Sequence, residues 1–317
     1  MGADGSVRGV PALRLATRGS PLALRQTAIV TELLQAAHPG LEVEPVVVRT
    51  RGDRDATSPL DQIGGQGVFV TEVEAAVTDG RADAAVHSAK DMTSVLPPHL
   101  VVGAVPPRAD PRDGLVGCTL VDLPAGALVA TGSARRRAQL AYLRPDLVFA
   151  DLRGNMARRV DAAGSGGVTA VVVAVAALER LGWADRLSDA LDPMHVLPQA
   201  GQGAIAVQCR LDDEGTRALL RPIDHRLSHR ALRAERAVLA ALGGSCTVPV
   251  GAFAEEHPSG STKLRVHGLV AAADGHRLIR LSRRGDDPEV MGAEVARALL
   301  EGGAAAIDGF APSAAAP

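Results

Sequence analysis

Within five residues, His87, Ser88, Lys90 and Asp91 bring together an imidazole, a hydroxyl, an ammonium and a carboxylate. Such a set can orient a polar substrate, move protons and hold positive charge that develops during reaction, and Asp91 is the group suited to the last task. Taken alone, the stretch is more economically read as capping by His87 and Ser88, with Lys90 and Asp91 a solvated pair. What precedes it shifts the balance. Ala84, Ala85 and Val86 form an apolar run that reads as the end of a buried strand, and α/β folds gather ligands where strands leave the sheet.

Arginine offers a second chemistry. Of 34 basic residues only Lys90 and Lys263 are lysine, and guanidinium grips carboxylates in bidentate fashion. Mutational bias accounts for the total; position selects the arginines that work. Ser133 is placed to cap a helix whose first turn holds Arg135, Arg136 and Arg137. Asn155 is placed to cap another, with Arg153, Arg158 and Arg159 around it, and Arg18 precedes a third cap, Ser20. Cations there oppose the helix dipole, so a bound carboxylate would relieve them. Arg137 and Arg158 read as solvated. The rest predict a ligand with several carboxylates, and phosphate is disfavoured because no P-loop is present.

The elements that must hold these groups alternate. Residues 12–16 read as a strand, 21–37 as a helix stopped by His38-Pro39-Gly40, and 41–49 as a strand. Gly64-Gly65-Gln66-Gly67 precedes a helix over 68–78, and 101–105 is another strand. Pro106-Pro107-Arg108-Ala109-Asp110-Pro111 marks a boundary, after which the pattern restarts with strands at 127–130, 147–150 and 168–175. Pro198 to Gly203 forms a second junction before a strand at 204–208. Crossovers of this kind predict largely parallel sheets with a cleft at their carboxyl ends. Beyond Pro222, a helix at 231–242, strands at 248–253, 264–271 and 278–281, and a helix at 288–300 predict a small α+β domain. The expected division is an α/β lobe of residues 1–106 with 204–221, a second α/β lobe of 107–203, and a C-terminal domain of 222–317.

Composition excludes several classes. The 317 residues, 46% apolar and 22% charged, are ordinary for a globular protein. Phe69, Tyr142, Phe149, Trp183, Phe253 and Phe310 are too few for base-stacking platforms, and a net charge of -2 gives no field for nucleic acid. Cys118, Cys209 and Cys246 lack the spacing of a zinc site or disulfide framework, which predicts a reduced, cytoplasmic setting. Met1 to Val10 has no apolar run for a signal peptide, and no stretch is pure enough to span a bilayer. Cys246, flanked by glycine between a helix and a strand, reads as an accessible loop thiol, whereas Cys118 and Cys209 read as small buried hydrophobes. Gly201-Gln202-Gly203-Ala204-Ile205-Ala206 has the spacing of a dinucleotide fingerprint but precedes a strand-like run, not a helix. His225 and His229 have helical spacing without the zincin glutamate, so no metal site is predicted.

The motifs, taken in order, resemble those of the porphobilinogen deaminase (hydroxymethylbilane synthase) family. They are Ala16-Thr17-Arg18-Gly19-Ser20, Gly64-Gly65-Gln66-Gly67-Val68-Phe69, Ala85-Val86-His87-Ser88-Ala89-Lys90-Asp91, Asp110-Pro111-Arg112-Asp113, Leu152-Arg153-Gly154-Asn155 and Gly201-Gln202-Gly203-Ala204. The resemblance runs from about Leu13 to Leu300. It implies a transferase that joins four porphobilinogen molecules head to tail, releasing ammonia, on a covalent dipyrromethane cofactor. It further implies two periplasmic-binding-protein-like α/β lobes plus a small C-terminal α+β domain, in a monomeric cytoplasmic enzyme without nucleic-acid or membrane partners. By the same resemblance Asp91 is catalytic, and Cys246 carries dipyrromethane through a thioether, assisted by Asp53, Lys90, Ser133, Arg135, Arg136 and Gly203. Arg18, Ser20, Phe69, Arg153, Asn155, Arg159, Arg180 and Gln202 are implied to bind substrate. The chain departs from the family pattern at Gln66, Met92, Thr93, Arg158 and Thr169, none of which removes the cysteine or the carboxylate. A non-catalytic two-lobed binder of an anionic small molecule is the alternative.

Overall fold

Ser20 and Pro21 set the first crossover. In the computed structural model, which describes residues 12–54, 67–243, 249–256 and 263–307, the Ser20 hydroxyl accepts from the Ala23 amide at 3.3 Å and Pro21 opens the helix. The first elements are β1 (Leu13–Arg18), α1 (Pro21–Ala37), β2 (Val43–Val48), α2 (Arg51–Arg54), α3 (Thr71–Thr78), β3 (Ala84–Ser88) and β4 (Leu100–Ala104). The next are β5 (Asp113–Val116), β6 (Leu128–Ala130), α4 (Ala134–Leu143), β7 (Val148–Ala150), α5 (Met156–Asp161), β8 (Ala170–Ala174), α6 (Val175–Arg180) and β9 (Asp189–Ala190). The chain then returns through β10 (Ile205–Arg210) and α7 (Glu214–Leu220). It ends with α8 (Arg226–Ala241), β11 (Val250–Glu256), β12 (Leu264–Ala271), β13 (Leu278–Gly285) and α9 (Pro288–Glu301).

Two five-stranded sheets result, ordered β2-β1-β3-β10-β4 and β7-β6-β8-β5-β9. Both are largely parallel, as the crossover pattern predicts, with one strand in each running against the other four. β10 runs antiparallel to β3 and β4, and β5 runs antiparallel to β8 and β9. Both strands arrive by a segment crossing from the other sheet instead of over a helix of their own sheet, so nothing imposes the parallel direction. β8 is buried at every residue, as its unbroken apolar run requires of a strand covered on both faces.

In the first sheet α1 buries Val30 and Leu34 against Leu13, Leu15, Val86 and Val207. The opposite face receives Val73, Ala76 and Val77 of α3 against Ala16 and Ala85. Each large aliphatic side chain so buried contributes about 1.5–3 kcal/mol. The three-stranded sheet β11-β12-β13 is antiparallel throughout, and Val266 and Val270 meet Val238 of α8 and Val295 and Leu299 of α9. α8 begins earlier than the predicted residue 231, because the His225 ring accepts from the Ser228 amide and caps it. α7, which the pattern leaves unread, is capped by Asp213, which accepts from the Thr216 amide at 2.9 Å.

One buried carboxylate ties these parts together. Glu235 of α8, with no solvent exposure, accepts from Arg108 Nη1 at 2.5 Å, the Gly201 amide at 2.6 Å and the Ala254 amide at 2.8 Å. Arg108 and Gly201 belong to the two segments that cross between the large sheets, so both crossings are anchored to the third.

Candidate active site

β3 carries His87 and Ser88 to its carboxyl end in the middle of the first sheet, and a single turn over Ala89–Asp91 brings Asp91 into a cleft shared with Arg18, Ser20, Gln26, Phe69 and His87. His87 is no cap. It lies within the strand, 4% exposed, with Nε2 3.1 Å from Gln208 Oε1, and burial pushes its imidazole down to about 4. Ser88 is hydrogen-bonded to the buried Gln26 amide at 2.8 Å. The Arg18 guanidinium sits 4.0 Å over the Phe69 ring, and that ring lies where Gly52 would carry a Cβ, 2.1 Å away. A side chain at position 52 would therefore displace the platform under Arg18.

The second sheet contributes a cationic cluster built on Asp113, the first residue of β5. Ser133 caps α4 by accepting from the Arg136 amide at 3.4 Å, which turns Arg135 and Arg136 inward. Asp113 is fully buried and pairs with Arg135 Nη1 at 2.8 Å and Arg136 Nη2 at 2.7 Å. Burial would raise its carboxyl, but the two guanidinium groups hold it well below the usual carboxylate range. Gln202, also fully buried, donates to Asp113 and to the Pro111 carbonyl, both at 2.8 Å, with its Oε1 facing Arg136 at 3.4 Å and Lys90 at 3.5 Å. Burial and the Arg136 guanidinium push the Lys90 ammonium down to about 8, against the pull of Asp91 and Asp113.

Asn155 caps α5, accepting from the Arg158 amide at 3.0 Å. Arg159 donates through Nε to the Gly154 carbonyl at 2.8 Å, while Arg153 and Arg158 are exposed. Burial, with Arg136 beside it, lowers the Arg159 guanidinium, and Asp91 opposes that shift from the other sheet. Arg180 ends α6 and donates to the Gly203 carbonyl at 2.7 Å; burial pushes it down to about 10. Leu22 and Gln26 of α1, Ala176 and Ala177 of α6, Lys90 and Arg180 line a second hollow beside the first. Gly201 and Gly203 both have positive φ, and a Cβ on either would strike backbone of Lys90 or Ala109 within 3 Å, so the turn's spacing serves this close approach before β10.

The family models decide the kinship. One described as porphobilinogen deaminase, dipyromethane cofactor binding domain, matches residues 13–218, and one for the C-terminal domain of the same enzyme matches residues 230–301. The chain belongs to the porphobilinogen deaminase family. A curated porphobilinogen deaminase from Roseiflexus sp. (strain RS-1) is 47% identical over 300 residues, 93% of this chain and 98% of that one. Among solved structures, a YaeC-family lipoprotein from Enterococcus faecalis V583 covers 68% of this chain and 92% of its own at 16% identity and a TM-score of 0.39. A TRAP periplasmic solute binding protein from Desulfovibrio salexigens DSM2638 covers 68% and 73% at 12% identity and a TM-score of 0.41.

Porphobilinogen deaminases use dipyrromethane, and the residues present suit a group bearing carboxylates. Lys90, Arg135 and Arg136 outnumber the carboxylates of Asp91 and Asp113 that face them, and the buried Nε of Arg135 has no hydrogen-bond partner among the described residues. An added anion would relieve that excess of positive charge. The side chain of Asp53, and Cys246 with its loop, lie outside the described residues. His225 and His229 engage Ser228 and Asp224, each at 2.8 Å, and no group of three potential metal ligands occurs among the described residues. Sequence reasoning gives Asp113 no role beyond its motif, although three arginines in one helix turn signal the need for a counter-ion. It passes over Gln26 and Gln208 entirely.

Proposed function

We propose that this chain joins four porphobilinogen molecules head to tail, with loss of ammonia at each step, to give hydroxymethylbilane on its dipyrromethane. The observation that carries the reading is the charge layout around Asp91. Its carboxylate stands in the cleft, felt electrostatically by Lys90 on its own turn and by Arg159 on the other sheet. Porphobilinogen bears acetate and propionate groups, which we assign to Arg18, Ser20, Arg153, Asn155, Arg159 and Arg180. Phe69 supports Arg18, and Gln202 holds Lys90 and Arg136 in register. Departure of ammonia leaves a cationic substrate pyrrole, which the Asp91 carboxylate stabilises while it passes protons at the pyrrole nitrogen.

We assign dipyrromethane to Lys90, Ser133, Arg135, Arg136, Asp53 and Gly203, with Cys246 as its thioether anchor. When bound, it supplies the pyrrole to which the first substrate unit is joined. Residues 1–106 with 204–221, 107–203 and 222–317 act in this reading as three domains, and the protein works as a cytoplasmic monomer without nucleic-acid or membrane partners. No described helix is long and apolar enough to cross a membrane.

Intact mass of the purified chain and of Cys246→Ser tests the anchor. The expected result is an excess equal to two deaminated porphobilinogen units that disappears in the variant. Ammonia release from porphobilinogen should fall at least a hundredfold, roughly, in Asp91→Ala with the excess mass retained. Stoichiometric binding of porphobilinogen without ammonia release by the wild-type chain would overturn the reading in favour of an anion-binding protein.

A further inference from the structure

Beneath α3 a line of buried polar side chains leads to the cleft. Glu74 of α3, 9% exposed, accepts from Gln208 Nε2 at 2.9 Å, and Gln208 Oε1 lies 3.1 Å from His87 Nε2. Gln208 and His87 stand on one face of the β10–β3 pair, since Gln208 is registered with Ala85 and Ala206 with His87. α3 packs against both strands on that face. The Gln208 amide thus turns its NH2 to Glu74 and its oxygen to His87; burial raises the Glu74 carboxyl, and the donated hydrogen bond from Gln208 opposes that rise. The Gln208 oxygen in turn requires a proton on Nε2.

We propose that Glu74 and Gln208 are positioning residues that lock His87 in the Nε2–H tautomer, leaving the Nδ1 lone pair as a fixed acceptor for an N–H of the substrate beside Asp91. Among the described residues Nδ1 has no hydrogen-bond partner, and His87 shares the cleft wall with Asp91 and Arg18. The groups charged toward the ring are few: Arg236 of α8 disfavours a second proton on it, and burial does the same more strongly. A neutral acceptor is thus kept next to a carboxylate, where a charged imidazolium would neutralise it.

The substrate's identity rests on the porphobilinogen reading, but the tautomer does not. Nitrogen NMR of the histidine side chains in the wild-type protein, without substrate, should show His87 protonated on Nε2 and bare on Nδ1. Gln208→Leu should mix the two forms. A proton on Nδ1 in the wild type would overturn the proposal outright, even if porphobilinogen were turned over normally. Two variants then separate acceptor from scaffold. Asn places a polar atom near Nδ1, while Gln places one near Nε2 and keeps the link to Gln208. His87→Asn should retain roughly tenfold more turnover of porphobilinogen than His87→Gln; the reverse order would mean that the ring serves only the buried line.

Discussion

The starts of α4 and α5 are alike in sequence and opposite in construction. Both have a polar cap whose side chain accepts from an arginine amide three residues on, and both put arginines in the first turn against the dipole. At α4 the repulsion is settled within the protein, because Asp113 from β5 lies buried between Arg135 and Arg136. At α5, Arg159 finds a backbone carbonyl and is lowered by burial and then by its cationic neighbours, with Asp91 across the cleft as the opposing charge. The first start is a prebuilt cationic wall. The second is completed by what enters the cleft.

Asp113→Ala breaks this comparison most severely. It strands two buried guanidinium groups and should cost about 3–5 kcal/mol in chemical unfolding; a loss near that of a surface substitution would show that α4 is no more prebuilt than α5. Arg159→Ala should do the reverse. Unfolding free energy should fall by less than about 1 kcal/mol, while the KM for porphobilinogen rises ten- to a hundredfold, about 1.5–3 kcal/mol of charged hydrogen bonding.

Lys90 sharpens the same contrast through pH. Its ammonium is held down to about 8 by burial and Arg136, so its charge is present below that pH and is lost as pH rises through it. Uptake of dipyrromethane by chain that lacks it should weaken above about pH 8, and in Lys90→Arg that limb should move beyond the measurable range. The smallest effect belongs to the caps. Ser133→Ala and Asn155→Ala should each cost about 1 kcal/mol, but only Ser133→Ala should also disturb the Asp113 pairing, which a double-mutant cycle with Asp113→Asn would read as coupling.

Local chemistry made much of this legible. Ser20 with Pro21, Ser133 and Asn155 cap where their residue types say they should, and the strand before Asp91 ends at the cleft. Capping and hydrophobic period depend on neighbours a few residues away, so a linear reading reaches them. The same logic misplaces His87, because a polar residue after an apolar run reads as an exit when its partner is out of view. β5 is not legible in the sequence, since its four residues carry too little pattern.

The sequence by itself determined the alternation of most strands and helices, the capped helix starts with their arginines, and the cluster around Asp91, all of them products of short-range sterics and hydrogen bonding. Tertiary structure alone decided which charges meet. Asp113 reaches Arg136 across 23 residues, His87 reaches Gln208 across 121 and Arg108 reaches Glu235 across 127. The direction of β5 and β10 was settled likewise, by segments crossing between sheets. Buried polar groups require partners, and which partner is available depends on how distant strands and helices come to lie together.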